Sequence, residues 1–414
     1  MTSLDVVEIC AGAGGQALGL ERAGFEHALA VELDENACNT LEENRPLWKV
    51  ARGDVANPQT WNPLKHKGVA LLAGGVPCPP FTIAGKQLGA TDERDLFAWA
   101  VELASIVKPR ALLLENVRGL SMPRFSGYRQ HVLDRLAGLG YVASWQLLQA
   151  SDYGVPQLRP RFVLVAMNEK DAPYFRWPDP VEHRPTVGEA LIDLMGAAKW
   201  EGAAKWAANA NGIGPTIVGG SKKHGGADLG PTRAKRAWAE LGVDAMGVAD
   251  EPPSPGAEFP DKPGPKLTCE MVARIQGWSD EYKWTFTGRK TTKYRQIGNA
   301  FPPPVAEAVG KAIMRALNHE GEPKAAVPVD HDPVYLNLRN ATGFLTQAQL
   351  LRAVGGIEVP ELERRIGLLS RDFELDIDEE RKEPAYRLGG FKAFLGQTDH
   401  NRHDVFQKNL SSIS

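Results

Sequence analysis

Within the first 170 residues, short apolar runs at 5–9, 28–31, 69–73, 111–114, 143–148 and 161–167 alternate with helix-like stretches such as 96–107 and 129–139. Strands that alternate with helices bury both their faces in a sheet layered by helices, mainly parallel. The predicted fold class is therefore α/β, a doubly wound sheet. In such sheets ligands and chemistry gather beyond the C-terminal strand ends. The residues that follow each apolar run are thus the first place to look for function.

The texture changes beyond this region. From about 178 to 265 Gly and Pro become frequent, basic residues cluster and periodicity fades. Helix-like patterning returns at 269–276 and 305–317, a polar stretch follows at 320–332, and the last residues carry their own apolar pattern. The predicted division is a first domain at 1–178, a loop-rich insertion at 179–265, a return to the first domain at 266–319 and a C-terminal module at 333–414. In the module, two helices at 346–354 and 360–369 precede strands at 373–376 and 385–388, which suggests a small α+β unit of winged-helix type. No apolar run is long enough to span a membrane, and the first residues lack the pattern of a signal peptide. Four widely spaced cysteines (Cys10, Cys38, Cys78, Cys269) fit a reducing cytoplasm and argue against disulfides or a structural metal site. The net charge of −3 does not advertise nucleic-acid binding, so any such surface must be a local patch.

Three strand ends carry candidate ligand contacts. The first run leads into Cys10-Ala11-Gly12-Ala13-Gly14-Gly15 and a helix. Glycines there permit a tight turn and close approach of a ligand to backbone, although an ordinary tight strand-to-helix turn reads the same. Glu32 ends the second run, where a carboxylate can take ribose hydroxyls. Asp54 follows a third short strand and suits an adenine amino group. At this point a nicotinamide dinucleotide and an oxidoreductase remain a rival. Two further strand ends carry reactive groups. Pro77-Cys78 follows the run at 69–73 and Gly74-Gly75, and Glu115-Asn116-Val117 closes the run at 111–114. A thiol and a carboxyl on neighbouring strand ends suit a nucleophile and an acid.

Taken in order, Gly12–Gly15, Pro77-Cys78, Glu115-Asn116-Val117, Gln157-Leu158-Arg159-Pro160-Arg161 and Gln296-Ile297-Gly298-Asn299-Ala300 resemble the DNA cytosine-5 methyltransferases of bacterial restriction–modification systems. The resemblance covers about residues 4–318, with a variable segment between the fourth motif and the last. Residues 266–278 also resemble the family motif that packs the variable domain. The resemblance implies a Rossmann-like mixed sheet with an inserted target recognition domain. It implies methyl transfer from S-adenosylmethionine to carbon 5 of a cytosine flipped out of duplex DNA. Cys78 would be the nucleophile, Glu115 the acid at ring nitrogen N3, and Arg159 and Arg161 the cations that hold the base carbonyl, Glu115 or a phosphate. Cofactor contacts would come from Ile9, Cys10, Ala11, Gly12, Gly14, Gly15, Glu32, Leu33, Asp54, Val55, Pro77, Asn299 and Ala300. Three positions depart from the family pattern: Cys10 stands where Phe is usual, Pro79 where Gln is common, and Cys269 where Arg is frequent.

The chemistry asked of these residue types is consistent with that assignment. Carbon 5 of cytosine is a poor nucleophile until a thiolate adds at carbon 6, and a thiolate also leaves easily. Cys78-Pro79-Pro80-Phe81 also looks like the motif of amino-group methyltransferases, but cysteine is a weak partner for an amine. A tRNA cytosine-5 methyltransferase and a non-catalytic DNA-binding regulator share the motif order; the long insertion and the intact reactive residues favour the DNA enzyme. Within residues 217–236 there are five Lys/Arg and one Asp. Lys222, Lys223, His224, Arg233, Lys235 and Arg236 are the candidates for reading DNA from loops. The expected partners are duplex DNA and a restriction endonuclease that acts independently. The chain is expected to be monomeric and cytoplasmic, with no membrane partner and no metal.

Overall fold

The computed structural model describes residues 4–76, 94–219, 227–258, 264–325 and 331–391. Its centre is a sheet of seven strands. These are β1 (Leu4–Ile9), β2 (Phe25–Glu32), β3 (Val50–Arg52), β4 (Leu71–Gly75), β5 (Ala111–Val117), β6 (Tyr141–Gln149) and, after a two-residue strand β7 (Gln157–Leu158), β8 (Pro160–Asn168). The order across the sheet is β3-β2-β1-β4-β5-β8-β6. Every pairing from β3 to β5 is parallel, whereas β8 runs antiparallel to both β5 and β6. The sheet is therefore mixed and doubly wound, as the alternation predicts. Strand order reverses between β1 and β4, and the crevice for ligands lies beyond their C-terminal ends.

Helices cover both faces, which is why β4 and β5 read as unbroken apolar runs. One face packs on α3 (Arg94–Val107) and α4 (Ser126–Gly138), through residues such as Phe97, Val101, Tyr128 and Leu133. The other packs on α10 (Pro303–Leu317) through Val305, Val309 and Ile313, together with Leu20 of α1 (Gly15–Arg22). Pro303 at the start of α10 needs no N–H there and pre-sets the helical φ. Helix α2 (Glu35–Asn44) follows β2 and is capped by Asp34, which accepts from the N–H groups of Asn36 and Ala37.

The insertion is more helical than its composition suggests. It holds α5 (Val187–Met195), α6 (Ala203–Asn209) and α7 (Thr232–Glu240), with a short β9 (Gly214–Pro215) paired to β7. Trp200, Trp206 and Trp238 fill its core beside α8 (Cys269–Ile275) and α9 (Lys290–Asn299). Residues 290–299 form a full helix that ends at the Asn299 of the last motif.

The C-terminal module also exceeds expectation. It comprises α11 (Pro333–Asn340), β10 (Leu345–Thr346), α12 (Gln347–Val354), α13 (Val359–Asp372), β11 (Phe373–Asp378) and β12 (Ala385–Phe391). The first helix and strand were not anticipated. The module does not hang free on its linker. Asp134 of α4 accepts from the Tyr335 hydroxyl and from Arg339 at 2.7 Å, and lies 3.1 Å from His331. Tyr128 N–H donates to Asp372 at 3.1 Å, and Phe391 stacks on His131 with ring centres 3.9 Å apart. Lys324 N–H of the preceding stretch bonds to Pro173. Cutting the chain near residue 324 would thus uncover a packed surface of α4.

Candidate active site

The C-terminal ends of β1, β4, β5 and the start of β8 converge on one place. After β1, Cys10 takes a left-handed backbone conformation (φ 52°), as do Gly12 and Gly14. The loop folds back so that Gly12 N–H donates to Glu32 Oε2 at 2.7 Å, while Leu33 and Asp34 N–H donate to Oε1 at 2.9 and 2.7 Å. Glu32 therefore clasps the glycine loop to β2, and Oε2 keeps acceptor capacity for a further donor. Gly15 is required by close approach: a β-carbon there would sit 2.3 Å from the Phe301 carbonyl oxygen and 3.0 Å from Ala300 Cβ. This contact brings the 296–300 motif against the start of α1. Leu33 beyond Glu32 is 54% exposed, an uncovered apolar side chain at the crevice. Asp54 caps its own turn by accepting from Ala56 N–H at 2.9 Å. Ile9, Ala11 and Val55 are buried beside these groups.

Glu115 lies in β5 itself, opposite Gly75 of β4 in the parallel register. Arg161 pairs with Val117 across β5 and β8, two residues from the Glu115 position, so its side chain reaches Glu115 on the diagonal. The Arg161 Nε to Glu115 Oε1 distance is 2.7 Å, with both side chains nearly buried. Burial raises the Glu115 pKa above the ordinary carboxylate range, against the opposing charges of Arg161 and Arg159. A carboxyl held this way keeps its proton more readily than one in water. Asn116 donates through Nδ2 to Val76 O at 3.2 Å and so fixes the exit of β4. Pro77 and Cys78, which follow that exit, lie outside the described residues.

Arg159 goes elsewhere. Because β7 leaves the central sheet to pair with β9, the two arginines do not share a continuous strand; both act on Glu115 by charge, but Arg159 makes its hydrogen bonds to other groups. Arg159 is 1% exposed. It donates to Ile217 O at 2.8 Å, Gly298 O at 2.7 Å and Ala300 O at 3.0 Å. Gln157 joins the same knot, donating to Gln276 Oε1 at 2.7 Å and accepting from Ile217 N–H at 3.0 Å. Gln276 in turn donates to Ala300 O at 2.8 Å. The motif thus divides its labour. Arg161 serves the carboxyl, and Arg159 locks the inserted domain and the end of α9 onto the sheet.

A family model described as C-5 cytosine-specific DNA methylase matches residues 4–315. The chain belongs to that family. This methylase is 68% identical, over the whole of both chains, to the type II methyltransferase M.NaeI of Lentzea aerocolonigenes. It is 50% identical to M.NgoMIV of Neisseria gonorrhoeae, over 76% of this chain and 98% of that one. Among solved structures, DNMT2 of Spodoptera frugiperda superposes with a TM-score of 0.52 at 17% identity, covering 75% of this chain and 100% of that one. At that identity the likeness speaks for the fold alone.

Other site residues of this methylase fall as follows. Asn299 is the last residue of α9, exposed and packed against Gly219. Arg233, Lys235 and Arg236 sit on α7, a helix rather than the expected loop, and Lys235 pairs with Asp228 at 2.8 Å. Lys222, Lys223 and His224 lie outside the described residues. Sequence reasoning missed Trp284. It donates through Nε1 to Ala13 O at 3.1 Å, and its ring fills the space beside Gly14, whose β-carbon would meet it at 2.5 Å. Its place between two helices of the returning segment gave no local signal. Among the described residues no cluster could hold a metal ion, and no helix is long and apolar enough to cross a membrane.

Proposed function

We propose that this methylase transfers a methyl group from S-adenosylmethionine to carbon 5 of a flipped-out cytosine in a specific duplex DNA sequence, as the modification partner of a type II restriction system. The observation that carries the reading is the buried Glu115–Arg161 pair, set across from Gly75 on the strand that runs directly into Pro77-Cys78. The described residues fit the cofactor. Leu33 offers an apolar surface, Glu32 Oε2 can accept a hydroxyl, and the start of α1 beside Gly14 and Gly15 favours a carboxylate. When bound, the cofactor supplies an electrophilic methyl group.

The residues of the chain do the rest. Cys78 adds its thiolate to carbon 6, and Glu115 passes its proton to N3, so that carbon 5 gains electron density. After methylation a water molecule takes the proton from carbon 5, the sulfur–carbon bond breaks with its electron pair returning to Cys78 as thiolate, and N3 gives its proton back to Glu115. Arg161 fixes the orientation of Glu115, while Arg159 keeps the recognition domain seated. Arg233, Lys235 and Arg236 of α7 would meet the DNA, and partnership with a separate endonuclease follows from the type II names of its relatives. The test is methyl transfer to duplex DNA by the wild type and by C78A, followed by bisulfite sequencing. The wild type is expected to modify one short sequence and to form a denaturant-stable adduct with 5-fluorocytosine at that site, and C78A to do neither. Turnover by C78A, or modification of tRNA in place of DNA, overturns the proposal.

A further inference from the structure

Gln16 is the second residue of α1, directly after the glycine pair, and is only 2% exposed. Neither its Oε1 nor its Nε2 has a hydrogen-bond partner among the described residues. A buried primary amide left unpaired is costly. Its surroundings show what it faces. A β-carbon built on Gly75 would lie 3.6 Å from Glu115 Oε2 and 3.9 Å from Gln16 Oε1. The amide and the outer oxygen of the carboxyl therefore border one small gap, which the glycine keeps open. The other oxygen, Oε1, is taken by Arg161.

We propose that Gln16 is a positioning residue for Glu115, holding its Oε2 in both protonation states. A carboxamide can do this because it carries a donor and an acceptor on one rotatable group. Before the base enters, a turn of the amide into the gap beside Gly75 lets protonated Oε2 donate to Gln16 Oε1. Once ring nitrogen N3 has taken the proton, the amide turns about its last bond, a soft torsion, and Nε2 donates to the ionised oxygen. An apolar residue could serve neither state. A second carboxylate could not stabilise the ionised one.

The inference rests on the reading of Glu115 as proton donor, and its test separates the two. Steady-state kcat, KM for both substrates and the pH–rate profile are measured for Q16M, Q16E, E115Q and the double variant Q16M/E115Q. Q16M is expected to lower kcat about tenfold with both KM values little changed, the loss of one hydrogen bond. Q16E places like charges side by side and should move the alkaline limb of the profile upward by about one pH unit. In the E115Q background, Q16M should cost nothing further, because the proton it positions is gone. If E115Q keeps full activity, the reading of Glu115 fails. If E115Q is impaired while Q16M is not, or Q16M loses as much in both backgrounds, or Q16E leaves the alkaline limb in place, the role of Gln16 is overturned. Should Q16M fail to fold, the limb of Q16E decides.

Discussion

Strands β5 and β8 carry an arginine–carboxylate pair at each end, and the two pairs are built differently. At one end Arg110 donates twice to Asp171, at 2.9 Å each, and Asn168 Nδ2 adds a third bond at 2.9 Å. His319 lies 2.7 Å away as a fourth partner. Burial pushes the Asp171 pKa up, yet these partners together hold it below the usual carboxylate range. At the other end Glu115 has one arginine in direct contact, Arg161, and a second, Arg159, acting only by its charge, and burial prevails. The lesson is that partners and depth together decide what a buried carboxyl does. Saturated with donors it stays ionised and rivets the strands to α10, whose Leu317 carbonyl also accepts from Arg110. Left with one contacting cation and, among the described residues, no hydrogen-bond donors to match, it keeps its proton more readily.

The largest effect that could break this contrast is on catalysis. E115Q should lower kcat by about 10²–10⁴-fold, the range of general acid–base contributions, while the protein stays folded. A urea melt should show it no less stable than wild type near neutral pH. D171A should do the reverse, costing about 1–3 kcal/mol of stability by removing the charge-assisted hydrogen bonds of a partly exposed arginine, with the specific activity of the folded protein within twofold of wild type. Equal losses of activity in both variants would abolish the distinction.

The pH dependence sharpens it. The folded pKa of Asp171 is depressed, so its contribution is present above the unfolded value of about 3.9 and is lost as pH falls through the folded one. D171N should therefore flatten the acid limb of stability against pH. For Glu115 the folded pKa is raised. Its favourable contribution exists below the unfolded value of about 4.3 and disappears as pH rises through the folded one. E115Q should therefore gain relative stability on the neutral side and none in acid, as urea midpoints across pH would report. Glu32 stands between the two pairs, with three backbone donors and spare acceptor capacity. E32A should weaken S-adenosylmethionine binding by about 1–3 kcal/mol if a buried bond to the ligand is lost, and calorimetry measures it.

How much of this was legible depends on the range of the contact. Apolar runs disclosed β1, β4, β5 and β8 because these strands are buried on both faces. Glu115 was legible as an acid at a strand end, and Glu32 as a carboxylate after β2. Helix α9 was not, since Tyr294, Ile297 and Gly298 are its buried residues and the rest is polar. The divergence of Arg159 from Arg161 was equally hidden. It depends on β7 finding a partner in β9, more than fifty residues on. Trp284 and Gln16 owe their roles to tertiary neighbours, which no local pattern encodes. The helices of the insertion were masked by its Gly and Pro content, although the capping box of Thr186 and Glu189 marks the start of α5.

The contact of Gly15 with Phe301 also has a consequence for biosynthesis. The wall that closes the cofactor loop, and the helix that covers one face of the sheet, are among the last parts of the catalytic body to leave the ribosome. At about 5–20 residues per second, the gap between completing β8 and completing α10 lasts on the order of ten seconds. Throughout it Val6, Leu71, Leu113 and Val163 have no α10 to pack against. A nascent chain thus carries a sticky face for the whole wait. Yield in the cell should therefore follow the supply of holding chaperones more closely than the stability of the finished enzyme.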